Sequence, residues 1–188
     1  MRSFDEKNVY FLNKSTYVNL RWIGIFGQFI TINLVALIFK FEFNFILANI
    51  IVLLGTLTNI FLQYFYKQSQ LSNKNAFFYL SIDILQLSFL IYLTGGILNP
   101  FSIFLIIPSI FASTNLNIKS NLILILITII SIVFLTIYHQ DLPSPLNNYK
   151  LSKYYYYSIP IGLLIALVFL NYFAFLFGKE NRIRKEAL

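Results

Sequence analysis

The chain has no cysteine, one histidine and seven acidic residues in 188 positions, and each scarcity closes off a kind of chemistry. Without cysteine there is no disulfide framework and no iron–sulfur cluster. With His139 as the only imidazole, a zinc site of the ordinary Cys/His type and a haem held by two histidines are excluded as well. His139 stands beside Gln140 and Asp141 at the end of an apolar run and reads as a solvated loop histidine, with a proton relay or a metal ligand as the alternative. No Ser–His–acid combination and no GxxxxGK[ST] phosphate loop can be assembled from these residues. No metal is expected, and these 188 residues are not expected to catalyse a reaction by themselves. Charged residues make up 11% of the chain, against about 25% in a soluble domain.

What fills the space is apolar: 58% hydrophobic residues and a mean hydropathy of +0.72. A single soluble core cannot hold that much, and the charges are too few to cover a globule, so the chain is an integral membrane protein. The 21 Phe and 13 Tyr come with 17 Asn but only seven Ala, a joint excess that AT-rich coding produces. The aromatics therefore carry no ligand signal of their own, although those at span ends suit membrane interfaces.

A spanning helix needs about 20 apolar residues. Six runs qualify, at about Trp22–Phe39, Phe45–Tyr66, Ala76–Thr94, Pro100–Leu116, Leu122–Tyr138 and Tyr156–Phe177; the fourth is short and contains Pro108. The expected fold is all-α, a membrane bundle of six transmembrane helices. Residues 1–21 form a cytoplasmic N-terminal segment, 22–178 the membrane domain, and 179–188 the start of a cytoplasmic helix. The first run has no small-residue cleavage site behind it and reads as an uncleaved anchor. Grouping the N-terminus, the second and fourth loops and the C-terminus places eleven Lys and Arg on one side, against Lys40, Lys150 and Lys153 on the other. That asymmetry predicts cytoplasmic termini. The +7 net charge is thus a topology signal and not a nucleic-acid surface.

Asp83 is the only acid within a span, and Gln86, three residues on, shares its helix face. An acid in lipid is either a functional group or a paired one. Gln28, Asn33, Asn59 and Gln63 suit hydrogen bonds between helices. Gly162, Ala166, Ala174 and Gly178 lie at four-residue intervals, broken at Leu170, and suit close helix contact within the bundle or across a dimer. The pairs Glu180–Arg184 and Arg182–Glu186 extend that helix beyond the membrane.

The stretch Gly95-Gly96-Ile97-Leu98-Asn99-Pro100-Phe101 joins the third and fourth spans. Glycine stops a helix in a left-handed conformation, and proline suits the first position of the next one, so a tight turn accounts for part of it. The remainder suits a planar ligand: glycines admit close approach to the backbone, the Asn99 amide offers a donor to a carbonyl, and Phe101 offers a ring for stacking.

This heptapeptide matches, without exception, the GGxxNPF segment of RegB/PrrB-type redox-sensing histidine kinases, and its place between spans three and four resembles theirs. Leu20-Arg21-Trp22 through Gly27-Gln28 is similar to the LRW…GQ opening of that family, and Arg182–Leu188 resembles the charged helix leading to the kinase core. The resemblance implies a six-span sensor region of a two-component system in the bacterial inner membrane. It further implies ubiquinone binding at Gly95, Gly96, Asn99, Pro100 and Phe101, and redox control of autophosphorylation. Homodimerisation through the kinase core and an acidic response regulator as phosphate acceptor are also implied. The phosphoacceptor histidine, the ATP-binding domain and the redox cysteine of some relatives are absent from these residues. The chain is accordingly expected to be the sensor piece of a longer kinase or a free-standing sensor module. A small multi-span transporter or channel subunit is the alternative; a structural subunit of a respiratory complex is a third.

Overall fold

The computed structural model describes residues 11–143 and 152–186, with side chains described for 12–143 and 152–180. Helix α1 spans Lys14–Leu37, α2 Phe45–Phe65, α3 Asn73–Leu93, α4 Ile107–Asn115, α5 Ile118–Ile137 and α6 Lys153–Glu186. Five of these are long and apolar enough to cross a membrane. The remaining crossing, fourth in chain order, is built differently: seven residues of 3-10 helix, Pro100–Ile106, run into the nine residues of α4. A 3-10 helix rises about 2.0 Å per residue against 1.5 Å in an α-helix, so this short segment reaches about 27 Å, close to the hydrocarbon thickness. Pro100 starts the 3-10 helix, and Pro108 falls in the first turn of α4, where its missing N–H is tolerated.

Asparagine opens four of these helical segments. The side-chain oxygens of Asn13, Asn44, Asn99 and Asn117 accept from the backbone N–H of Thr16, Leu47, Phe101 and Ser120 at the starts of α1, α2, the 3-10 helix and α5. Four of the chain's asparagines are thus used at helix starts, where a side-chain oxygen satisfies an unpaired N–H.

Two three-residue strands precede helices. β1 (Phe11–Asn13) pairs antiparallel with β2 (Gln70–Ser72), placing buried Leu12 opposite buried Leu71. This ribbon ties the start of α1 to the start of α3. Lys14 strengthens the tie by donating its Nζ to the Gln63 and Tyr66 carbonyls at the end of α2 (3.1 and 2.7 Å), where exposed carbonyls and the helix dipole favour a cation. Asn73 binds the Ser120 hydroxyl and the Asn117 N–H, bringing the start of α5 to the same end of the bundle. The opposite end gathers the heptapeptide, the end of α5 and the start of α6.

Within the bundle α1 packs on α2, α2 on α3, α3 on α5, and α4 on both α5 and α6. Three apolar clusters follow this order: one around Leu12, Tyr17, Leu62 and Leu71 at the ribbon end, one around Ile25, Ala48 and Val52, and one around Ile97, Leu105, Ile132 and Leu163 near the heptapeptide.

Several boundaries differ from the apolar runs. α1 begins at Lys14 and not at Trp22, so Arg21 lies seven residues inside a helix. α3 begins at Asn73, which puts Asp83 at the midpoint of its 21 residues and not near one end. α6 continues to Glu186, as the charged pairs beyond the membrane require, although the side chains of those pairs past residue 180 are outside the described set. Between α5 and α6 the chain is described to Pro143 and again from Ser152. The small residues of α6 divide. Ala174 and Gly178 are buried in the bundle, while Gly162 is exposed with open space around it.

Candidate functional site

The polar residues expected within the membrane resolve into local pairs. Gln28 accepts from Gln86 (3.1 Å), Asn33 donates to Asn49 (3.2 Å), Asn59 donates to the Val18 carbonyl (3.3 Å), and Gln63 accepts from the Trp22 indole (3.0 Å). Gly55 is small because the Gln86 amide fills the place of its missing side chain. All four asparagine and glutamine expectations hold.

Asp83 is paired. Its Oδ1 accepts from Arg21 Nε at 2.9 Å, and its Oδ2 accepts from the Tyr17 hydroxyl at 2.5 Å. The other guanidinium nitrogens donate to Thr58 Oγ1 (2.9 Å) and Asn59 Oδ1 (3.4 Å), and the cation lies between the Tyr17 and Tyr79 rings, 5.7 and 5.6 Å from their centroids. A cation with every face occupied joins α1, α2 and α3. Gln86 belongs to the separate Gln28 pair, one turn further along the same face.

A second buried polar knot joins α4, α5 and α6. Asn171 donates to Ser109 Oγ (3.0 Å) and accepts from Ser113 (2.5 Å), and Ser113 also lies 3.1 Å from Asn121 Oδ1. All four residues are buried. Sequence reasoning missed this knot. Its signal was available, since Ser109 and Ser113 are one turn apart and Asn171 is the only amide in the last apolar run.

The heptapeptide forms a compact corner. Gly95 and Gly96 both have positive φ, 103° and 59°, which a residue with a side chain adopts at a cost. Their open faces are covered from the segment that follows α5: a Cβ on Gly95 would meet Leu142, and one on Gly96 would meet His139. The close approach that two glycines permit is thus taken by the chain itself. His139 is correspondingly more than a solvated loop residue. Its Nε2 lies 3.2 Å from the Tyr156 hydroxyl, which in turn donates to the Thr136 carbonyl (2.5 Å), linking the heptapeptide to α5 and α6.

Asn99 uses both ends of its amide within the corner. Nδ2 lies 2.5 Å from Thr94 Oγ1 and 3.3 Å from the Thr94 carbonyl, while Oδ1 accepts from Phe101 N at 2.8 Å. The donor expected to meet a ligand carbonyl is engaged with Thr94. Phe101 is 39% exposed and stacks on Phe104, with ring centroids 5.8 Å apart, on the outside of the bundle.

Beside this corner lies a cleft of about 430 Å³ between the 3-10 helix and the first turns of α6. Leu98, Asn99 and Pro100 form one wall; Tyr155, Ser158 and Gly162 stand on the other. That volume falls in the range of small-molecule sites, roughly 300–1,000 Å³. Of the five expected site residues, Asn99 and Pro100 line the cleft, Gly95 and Gly96 sit under Leu142 and His139, and Phe101, stacked on Phe104, is not part of its lining. Asp83 and Gln86 lie at or beyond mid-helix in α3, with Asp83 about 15 Å along it from Leu93. Among the described residues no group of His, Asp and Glu is placed to hold a metal ion.

Comparison with known proteins agrees with this architecture. Residues 23–182 match the profile of the PilS-like transmembrane domain family. Over 175 residues, 92% of its length, the chain is 25% identical to the sensor histidine kinase RegB of Cereibacter sphaeroides. The aligned region covers 38% of that kinase, so the chain spans about two-fifths of its relative. No solved structure matches at a significant level.

Proposed function

Because this chain belongs to the family of PilS-like transmembrane domains, and is a membrane sensor region like that of the histidine kinase RegB, we propose that it binds a quinone in the cleft beside the heptapeptide and reports the redox state of the respiratory quinone pool. The observation that carries the reading is a coincidence of position. The GGxxNPF corner forms one wall of a cleft of ligand size, and the opposite wall is the helix that leaves the domain.

The mechanism is a shift between two packings. α6 runs 34 residues without a break, about 51 Å, from the cleft to Glu186. Pro160 lies inside it and has no N–H, so the Tyr156 carbonyl lacks its usual donor four residues on, and the helix bends most easily beside the cleft. A head group seated there favours one setting of α6 against α4, and the helix conveys that setting to a histidine-kinase core and, through it, to a response regulator. A ligand that prefers one state 100-fold shifts the balance by about 2.7 kcal/mol, enough for graded control. The transporter alternative gains nothing from Asp83, whose carboxylate is paired with Arg21.

The test is equilibrium binding of a short-tailed ubiquinone analogue to the purified chain in detergent. Saturable binding that Asn99→Ala or Pro100→Ala weakens, with Tyr64→Phe, at an exposed position of α2 at the other end of the bundle, left unchanged, is the expected result. Absence of saturable binding, or affinity undiminished in both Asn99→Ala and Pro100→Ala, overturns the reading.

A further inference from the structure

The cleft needs a hydrogen-bond donor if it is to hold a quinone carbonyl, and the Asn99-Pro100-Phe101 wall has none to spare. The Asn99 amide hydrogens point to Thr94, and Pro100 has no N–H. Phe101 N is engaged by Asn99 Oδ1, and Ser102 N by the Asn99 carbonyl. The Ser102 hydroxyl is buried and directed to the Ile97 carbonyl.

The opposite wall is different. The Ser158 hydroxyl turns back to the Tyr155 carbonyl, three residues earlier in its own helix (2.7 Å), a bond that a χ1 rotation exchanges for another partner. Tyr155 is 58% exposed, and its hydroxyl has no partner among the described residues. On the same wall Gly162 leaves the cleft open, with no atom within 4 Å of the place its Cβ would take. Ser158 and Gly162 lie four residues apart and Tyr155 three before Ser158, so all three share the face of α6 that looks into the cleft.

Resting on the quinone reading above, we infer that the carbonyl-binding donors of this site are the hydroxyls of Tyr155 and Ser158 on α6, with Gly162 leaving the space that admits the ring, and that Asn99 is a positioning residue that holds the corner in shape. The ligand is then bound by the output helix itself. Occupancy acts on α6 directly, with no relay through the rest of the bundle. A hydroxyl also accepts a hydrogen bond as readily as it donates one, so the same pair meets a quinone carbonyl or a quinol hydroxyl by rotating a proton.

Two ligands of equal tail length separate this arrangement from a merely structural role: a ubiquinone analogue, and an arene of the same size whose carbonyls are replaced by hydrogen. Each is titrated into the full chain in detergent, carrying Tyr155→Phe, Ser158→Ala or Gly162→Leu. A lost hydrogen bond corresponds to roughly a 2- to 13-fold loss of affinity. Tyr155→Phe and Ser158→Ala should each weaken the quinone by that factor and leave the arene unchanged. Gly162→Leu should weaken both at least 10-fold, since its side chain occupies the cleft. Asn99→Asp, which keeps the oxygen that caps Phe101 N, should bind the quinone more tightly than Asn99→Ala. If wild type binds the quinone and the three α6 variants bind it equally well, the donors lie elsewhere and this inference fails while the quinone reading stands. If wild type binds no quinone saturably, both fall.

Discussion

Arg21 and Asp83 meet at 2.9 Å between the first and third helices, midway along the third, with the arginine side chain 4% exposed and the aspartate side chain 21%. Burying one charge without the other is costly, whereas an apolar pair of similar volume is tolerated. Asp83→Leu or Arg21→Met alone should therefore lose about 3–5 kcal/mol of stability in detergent. The double replacement should lose clearly less than the sum. A double-mutant cycle on reversible unfolding measures it, and simple additivity would show that the pair is not coupled.

The two kinds of glycine should respond with opposite sign. Gly96 has φ 59° and His139 against it, so Gly96→Ala should cost at least about 1–2 kcal/mol. Gly162 is helical with open space beside it, and Gly162→Ala should stabilise by about 0.5–1 kcal/mol. Unfolding midpoints moving in the same direction for both would contradict the described corner.

Asn171 is the shared partner of two serines between α4 and α6. Asn171→Leu keeps the volume but removes the bonds, and should cost about 1–2 kcal/mol, in the range for interhelical hydrogen bonds within membranes. Ser113→Ala in the Asn171→Leu background should then add little. A full additional loss would place the serine's partner elsewhere.

Orientation can be read by labelling, because the chain has no cysteine to give background. With cytoplasmic termini, a cysteine at exposed Asp141 should react with an impermeant reagent from outside intact cells, and one at exposed Gln68 only after permeabilisation. The reverse pattern rejects the orientation that the basic residues predict.

Hydropathy located the helices because lipid demands long apolar runs, and it mis-set their ends where polar residues continue a helix at the boundary. Lys14-Ser15-Thr16-Tyr17 reads as a polar tail, yet Asn13 caps it into helix, and that extension carries Arg21 inward to Asp83. An acid in lipid calls for a cation, so Arg21 at the edge of an apolar run was the available clue. The ribbon of Phe11–Asn13 with Gln70–Ser72 left no such clue, since three residues are too few for alternation to register. The heptapeptide was legible as a motif but not as geometry. Only two of its five expected site residues line the cleft, and half of that cleft comes from α6, some 60 positions later in the chain, where Tyr155 and Ser158 look like ordinary residues at a membrane interface.

The 3-10 stretch between Pro100 and Ile106 gives the fourth crossing a property that the other helices lack. Each residue of such a helix turns about 120° and climbs about 2.0 Å, against 100° and 1.5 Å in an α-helix. Rewinding its seven residues from one form to the other would draw α4 in by about 3.5 Å and twist it by about 140°. Asn99, at its start, and the Ser109–Asn171 contact, just past its end, are the two fasteners that hold the present winding. The crossing is a screw with its thread cut at the cleft: a small change in pitch there becomes a large change in which side of α4 meets α6.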